Sequence, residues 1–489
     1  MPRSYDVVIV GAGPNGLSAA IAFGRAGLST LVVEASDTPG GGARTKELMF
    51  GGMLHDICST NHPLGVTSPW FRALELDAVG LEWAHSPAAL AHVLGDGRVA
   101  LLHQSLDATA ELLGADGPSY RRLMEPFVEE FDTLQRMVLA PLRFPRDPGL
   151  MARFGIEALR SLTGLSKSWF DGDEAPALLA GIAAHAMVPL DRLATASFGI
   201  ILAAAGHAAG WPVARGGSQA ITNALLTRLD EVGGEIIVGQ RVGSLDELPA
   251  ARAYVLDVTP RQLLAIAGDR LPARDRDRFA KFRYGPGVFK IDWALNGPVP
   301  WRDPRCALAA TVHLSGTIDD VAAAEQAVHD GHLAERPFVL FGQPSVCDPS
   351  RVPPGMHVAW AYCHVPHGSG VDATQAIEDQ VERAAPGFRD VVTARLTTNA
   401  HELERYNANY VGGDINGGYA DARQLLFRPV PRLDPYATGA PNIFLCSSST
   451  PPGGGVHGMC GYWAAKSVLS KVFDRAAPPL AGELLTSAA

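Results

Sequence analysis

The sequence predicts an α/β protein, on three observations. It opens with a β-prone run, Tyr5 to Val10, that passes directly into the turn Gly11-Ala12-Gly13-Pro14-Asn15-Gly16 and a helical pattern from Leu17 to Ala26. A second apolar run, Thr30 to Val33, ends on an acid, Glu34. Beyond it, strand-like runs and helical stretches continue to alternate, the pattern of sheets crossed by helices.

The first unit carries the most information. Gly11 permits a tight turn, Gly13 lets backbone NH groups approach a pyrophosphate, and Gly16 lets the helix lie close to the strand. The helix N-terminus then offers partial positive charge to phosphate oxygens. Glu34 follows at about the 20-residue distance at which an acid meets the hydroxyls of an adenosine ribose. Its charge would repel a 2′-phosphate, so FAD or NAD is expected ahead of NADP.

The next turn, Gly40-Gly41-Gly42-Ala43-Arg44-Thr45, is small and donor-rich, with Arg44 available to neutralise phosphate. Leu74 to Leu102 reads as a β segment with a turn at Gly95-Asp96-Gly97, and helices dominate from about Ser105 to Ala205, including Tyr120 to Leu139 and Pro148 to Leu162. The uncharged stretch Leu193 to Ala214 reaches the length of about 20 apolar residues that a bilayer requires. Its glycines, His207 and Pro212 favour instead a buried helix lining a cavity. A helix over Gln219 to Val232 closes on Gly233-Gly234. Strands are expected at Glu235 to Val238, Ala253 to Val258, Val288 to Leu295, Thr311 to Leu314, Phe338 to Gln343 and His357 to His364. Arg270 to Arg283 reads as a solvated helix and Asp372 to Ala385 as an amphipathic one. The last segment is a strand at Asn442 to Cys446, a glycine loop at Ser447 to Gly458 and a helix from Met459 to Phe473.

The chain has 489 residues, a net charge of −10 and no long basic run, which gives room for two or three domains and excludes the electrostatic footprint of a nucleic-acid binder. Its six cysteines include no CxxC pair, as in a reducing compartment, and offer no redox-active disulfide. No secretory leader is read at the start, so a cytoplasmic protein is expected, with peripheral contact at a membrane left open. No repeat or low-complexity linker separates the domains, which are expected to interleave.

The strings GAGPNGLSAA at Gly11 to Ala20, EASDTPGGGART at Glu34 to Thr45, GGSQAI at Gly216 to Ile221, GGEI at Gly233 to Ile236, FRPVPRLDPY at Phe427 to Tyr436 and NIFLCSSSTPPGGGVHGMCG at Asn442 to Gly461 carry a resemblance over nearly the whole chain. It resembles the flavin-dependent oxidoreductases that include bacterial phytoene (carotenoid) desaturases and, more distantly, the monoamine oxidases. HDICSTNHPLGVTSPWF at His55 to Phe71, RYGPGVFKIDWAL at Arg283 to Leu295 and AWAYCHVP at Ala359 to Pro366 look like the branch of pyridine nucleotide-disulfide oxidoreductase domain-containing protein 2.

The resemblance implies a Rossmann-like FAD-binding domain of glutathione reductase type interleaved with an α+β substrate domain. The implied boundaries are 1–95, 212–290 and 420–489 for the first, and 96–211 and 291–419 for the second. It implies FAD held by Gly11, Gly13, Pro14, Asn15 and Gly16 in the first turn and by Glu34 and Ala35 at the ribose. Gly41, Gly42, Ala43 and Arg44 would run along the phosphate and ribityl part, Val242 would meet adenine, and Ser448 would supply a hydroxyl. Gly455, Val456 and Met459 would bring backbone NH groups and the last helix to the pyrimidine side of the flavin. This chain departs from its relatives in placing Gly42 where many carry arginine, in reading Ser447-Ser448-Ser449-Thr450 before the final loop, and in a Gln240 to Ala251 segment too short for a β-hairpin.

In such proteins hydride passes from a substrate carbon to flavin, while the protein supplies orientation, dryness and at most a base. His457 in the last glycine loop is a candidate, as are His55 and Asp56 after the Phe50 to Leu54 turn, and Asp414 opposite. His357, Cys363, His364 and His367 lack a carboxylate at a recognised ligand spacing, so no metal is expected. The expected activity is redox conversion, chiefly dehydrogenation, of a hydrophobic small molecule, with O2 or a quinone taking the electrons and a homodimer left open. The rivals are a flavin amine oxidase, whose aromatic pair cannot be located here, and a flavin-bearing scaffold or regulatory protein with little turnover.

Overall fold

Two sheets are built from interleaved segments in a computed structural model that describes residues 4–483, apart from the side chain of Asp269. The first sheet runs, in spatial order, Ile443–Leu445, Ala251–Leu256, Tyr5–Val10, Thr30–Val33 and Glu235–Ile237, every pair parallel. A parallel sheet is covered on both faces, which is why its central strands read as unbroken apolar runs. Val7, Val8 and Ile9 are fully buried, Val7 and Ile9 toward one core and Val8 toward the other.

Helix Pro14–Arg25 and the last helix, Met459–Val472, lie side by side over one face. Their closeness depends on Gly461, since a Cβ there would stand 1.9 Å from the Asn15 carbonyl oxygen. The end of the chain is thereby held against its beginning.

The second sheet has the order Val392–Thr398, Gly287–Leu295, His357–Val365, Val339–Gly342, Thr311–Leu314, Leu90–Val93 and Val99–Leu102. All pairs are antiparallel except Thr311–Leu314 with Leu90–Val93. Along His357–Val365 the alternation of a strand divides the side chains: Trp360 and Tyr362 face the helical segment, while Ala359, Ala361, Cys363 and Val365 face the core under helix Thr374–Ala384. The helices between residues 106 and 209 pack over the first of these faces.

Most expected elements are present, and the differences have local causes. Tyr120 to Leu139 is two helices, Gly117–Glu129 and Phe131–Val138, because Glu130 leaves the helical region at φ −101° and ψ 26°. Pro148–Ala158 stops short of Leu162 because Ser161 caps a new helix, accepting the Gly164 amide at 3.1 Å. The apolar stretch from Leu193 is helical only over Thr195–Ala209, bounded by left-handed Ala194 and Gly210. No helix among the described residues is long and apolar enough to cross a membrane. The edge strand Val392–Thr398 was not expected; its half-exposed side chains leave little apolar pattern to read. Leu90–Val93 and the beginning of Gly287–Leu295 belong to the second sheet, inside segments expected for the nucleotide domain, because their backbones pair there.

Candidate functional site

Two cavities meet between the sheets. The first, of about 380 Å³, runs along the carboxyl ends of the parallel strands from the Gly11 turn. A Cβ on Gly16 would lie 2.1 Å from the Gly11 carbonyl, so the helix starts in direct contact with the turn. Glu34, at the end of the adjacent strand, accepts the Ala12 and Ser36 amides at 2.8 Å each and lies 3.4 Å from Arg44 Nη2. The Arg44 guanidinium stands 5.4 Å over the Tyr406 ring, and its Nη1 donates to the Tyr406 hydroxyl at 3.1 Å. Arg44 therefore sits at the Glu34 end of the cleft.

Gly11, Gly13, Pro14, Asn15, Glu34, Ala35, Gly41, Gly42, Arg44, Val242, Ser448, Gly455 and Val456 line this cleft. The structure thus brings together thirteen of the expected cofactor residues from both ends of the chain. Gly16, Ala43 and Met459 do not line it. The Gly16 amide is taken by Asp257, Ala43 is buried with its carbonyl accepting the Thr222 hydroxyl, and Met459 is buried at the start of the last helix.

The cleft's lining fits a polar ligand such as a dinucleotide, because it carries both donors and acceptors left open. Asn15 Oδ1, Arg44 Nε, Thr60 Oγ1 and Asn61 Oδ1 are all buried, all on lining residues, and all lack a protein partner. Buried polar atoms left so cost free energy unless a ligand or water satisfies them. Asp257, on the same wall, was not singled out from the sequence. Its carboxyl accepts the Gly16 amide at 2.9 Å, and burial, reinforced by the charge of Glu34, pushes its pKa up to about 7 against the Gly16 and Gly13 amides.

The second cavity, of about 610 Å³, is mostly apolar and lies under helix Thr195–Ala209, which contributes Ser197, Phe198, Ile201 and Leu202. Ser59, Asn61, His185, Tyr362, Asn416, Gly455 and Val456 line both cavities and so form their common wall. His185 lies in the short turn Ala184–Ala186, with Nε2 3.3 Å from His313 Nε2 and its carbonyl accepting Asn416 Nδ2 at 3.0 Å. Burial, with His364 nearby, lowers its pKa to about 3. His185 carries no local sequence motif, and Tyr362 lies in the AWAYCHVP string without being singled out there; only the fold brings them to this wall.

The four expected catalytic residues stand elsewhere. His457 lines neither cavity; it is fully buried, its Nδ1 accepts the Met459 amide at 3.1 Å at the head of the last helix, and burial lowers its pKa to about 4. Its carbonyl accepts the Ser68 hydroxyl at 2.6 Å, so the residue ties the glycine loop to its neighbours. His55 and Asp56 lie on the ribbon strand Leu54–Asp56 beneath the cleft. His55 Nδ1 faces Asp292 at 3.5 Å. Asp56 accepts Arg351 Nη1 at 2.5 Å, Thr45 Oγ1 at 2.6 Å and the Ser218 amide at 2.8 Å. Burial works against the charge of Asp56, but Arg351 and these donors hold its pKa below the ordinary value. Asp414 is buried and accepts the Gly285 and Asn416 amides at 2.8 Å each; burial raises its pKa. It sets the loop from which Asn416 reaches the common wall.

A model of the NAD(P)-binding Rossmann-like domain matches residues 9–75. The chain is 27% identical to pyridine nucleotide-disulfide oxidoreductase domain-containing protein 2 of Mus musculus, over 95% of this chain and 93% of that one. It is 23% identical to the lycopene-forming phytoene desaturase of a Paracoccus species, over 94% of this chain and 96% of that one. Among solved structures, cyclohexylamine oxidase from Brevibacterium oxydans shares the fold at 15% identity, with 97% of this chain and 100% of that one covered and a TM-score of 0.59.

Proposed function

We infer, from its kinship with the phytoene desaturase-related oxidoreductases, that this chain is an FAD-dependent oxidoreductase that dehydrogenates a hydrophobic small molecule. The observation that carries this inference is the common wall. A polar cleft with unsatisfied donors and acceptors opens onto an apolar chamber through seven shared residues, so a cofactor and an apolar molecule can meet there away from bulk water.

FAD, when bound, would supply the acceptor for a hydride, which carries the two electrons of the oxidation. The chain's own residues do the rest. The turn Gly11 to Gly16 and Glu34 hold the dinucleotide end, and Gly455 and Val456 hold the end at the wall. Phe198, Ile201 and Leu202 orient the substrate by apolar contact and keep water out. Dehydrogenation removes a hydride and a proton from neighbouring substrate atoms. His185, neutral at physiological pH with Nε2 committed to His313, has Nδ1 free of protein partners among the described residues and orients the substrate at the wall; with its pKa lowered to about 3 it is too weak a base to keep the proton, which leaves to solvent. The electrons leave to O2 or a quinone.

Anaerobic titration of the purified FAD-loaded protein with polyenes, long-chain lipids and amines tests this function. Loss of the oxidised flavin's visible absorbance with a polyene or lipid is the expected result. Bleaching by amines alone would make the protein an amine oxidase, and bleaching by nothing would favour the flavin-bearing scaffold.

A further inference from the structure

The apolar chamber holds a buried cation without a counter-ion. Arg428 follows helix Ala422–Phe427, is 2% exposed, and lines the chamber together with Pro451 and Pro452. Its Nη1 donates to the Ser448 carbonyl at 3.0 Å and its Nε to the Gln424 carbonyl at 3.4 Å. These neutral acceptors engage two of the five N–H donors of a guanidinium and cancel none of its charge. Among the described residues Nη2 bonds to no protein atom, and no carboxylate stands within ion-pair reach of Arg428. The two acids whose charge reaches it are already engaged: Asp421 pairs with Arg283, and Asp414 accepts the Gly285 and Asn416 amides. Burial lowers the pKa of Arg428 against the opposite pull of Cys460 and these two acids. Taking a charge out of water is costly, and buried charges in proteins are ordinarily paired.

The rest of the lining has the same sign. Neither Asp nor Glu lines the chamber, although the chain carries −10 overall. The other charged side chain on its wall is Arg143, exposed, with its guanidinium 4.6 Å from the centre of the Trp463 ring and its Nη2 donating to the Arg136 carbonyl at 3.1 Å. The lining histidines His62 and His185 are kept neutral by burial, with pKa values lowered to about 4 and about 3. A chamber that is apolar over most of its surface and positive where it is charged repels a protonated amine and attracts an anion.

We propose that the chamber takes an apolar chain ending in a carboxylate, whose charge is met by the buried Arg428 guanidinium. A carboxylate brings one negative charge and two coplanar oxygens, which match the edge of a guanidinium. A phosphate monoester brings about −1.5 to −2, more than one buried guanidinium cancels. A Cβ on Gly453 would stand 2.9 Å from Arg428 Nη1, and Gly455 and Val456 of the same loop belong to the common wall. The charged head is thus held against the loop that reaches the cleft. That this ligand is the substrate rests on the proposed dehydrogenation; the preference for its head group is read without it.

Calorimetric titration of the FAD-loaded protein at neutral pH with decanoate, decanol, decyl phosphate and decylammonium tests the proposal. Decanoate is expected to bind about tenfold or more tighter than decanol, the scale of hydrogen bonds to a charged group, and decylammonium more weakly than the alcohol. Arg428→Gln removes the preference and leaves decanol binding unchanged, whereas Arg428→Lys, which keeps the charge without the planar fork, retains part of it. Flavin absorbance and a single cooperative melt show that each variant is folded, and the wild-type series decides by itself where one is not. Equal binding of decanoate and decanol by the wild type overturns the proposal. So does a preference that folded Arg428→Gln keeps in full, or tighter binding of decyl phosphate than of decanoate. Binding is read without turnover. A protein that prefers decanoate yet is bleached by nothing contradicts the dehydrogenation alone, and one bleached by a neutral polyene while binding both heads equally contradicts this inference alone.

Discussion

His185 and His313 face each other nitrogen to nitrogen, Nε2 to Nε2 at 3.3 Å, at the wall between the two cavities. One ring donates and the other accepts, which fixes a tautomer for each while both are neutral. Burial sees to that, taking the pKa of His185 to about 3 and that of His313 well below its ordinary value.

His185→Ala is expected to slow flavin bleaching by substrate on the order of 100-fold, the scale of a misplaced substrate, while FAD content is retained. In the wild type this imidazole contributes no step to the bleaching rate between pH 5 and 8, because its ionisation lies at about 3. Stopped-flow bleaching across that range checks both. A step near pH 6.5 that disappears in the variant would sink the assignment.

Gly181→Ala acts on the same pair from behind. A Cβ there would stand 2.4 Å from His92 Nδ1 and 2.5 Å from His313 Nδ1, so both rings must shift. Overfilling of this kind costs about 1–3 kcal/mol. Urea unfolding should register that loss, and the displaced His313 should loosen His185 enough to lower the bleaching rate with FAD content unchanged.

Asp257→Asn should stabilise the FAD-free protein at alkaline pH. The wild-type carboxyl has its pKa raised to about 7 by burial. Its stabilising contribution is complete below the unfolded value of 3.8 and is lost as pH rises through about 7. The amide variant has no such loss, so the difference in melting temperature between variant and wild type grows from pH 5 to pH 8. Calorimetry that finds a constant difference would refute the shift. The same variant removes a negative charge from the phosphate turn and is expected to hold FAD more tightly at pH 8.

Arg351→Met should be severely destabilising. The guanidinium is fully buried between Asp56, at 2.5 Å, and Asp348, at 3.0 Å, and its removal strands a carboxylate. The expected loss is about 3–5 kcal/mol by denaturant titration. The sign with pH follows from the lowered pKa of Asp56: the pair stabilises above the unfolded value of 3.8 and the contribution is lost as pH falls through the folded one. Wild type and variant should therefore converge in acid.

The nucleotide end of the site is legible in sequence because its chemistry is local. Gly11, Gly13 and Glu34 stand within one strand, turn, helix and strand, and each residue type has one mechanical reason to be there. The far end, Gly455 and Val456, is legible as a second glycine loop before a helix. The wall is not. His185, Tyr362 and Asn416 are single residues from three distant segments, and they converge only once both sheets are formed. His457 and His55 drew attention by adjacency to glycine turns, but adjacency does not say where a side chain points. His457 turns back to its own helix and His55 to Asp292. Asp257 is adjacent in space to the very glycines that were read, yet it follows a strand more than two hundred residues later in the chain.

The parallel sheet has a consequence for biosynthesis. Its strand Ala251–Leu256 stays unpaired on one side until Ile443–Leu445 has been made, and the helix Met459–Val472 that covers it comes later still. Such long-range pairing is slow and leaves apolar edges open meanwhile. A nascent chain on the ribosome therefore carries a readable nucleotide turn long before it owns a nucleotide site. The cleft gains its far wall only when Ser447 to Ser449, Gly455 and Val456 have been made, more than four hundred residues after the first turn.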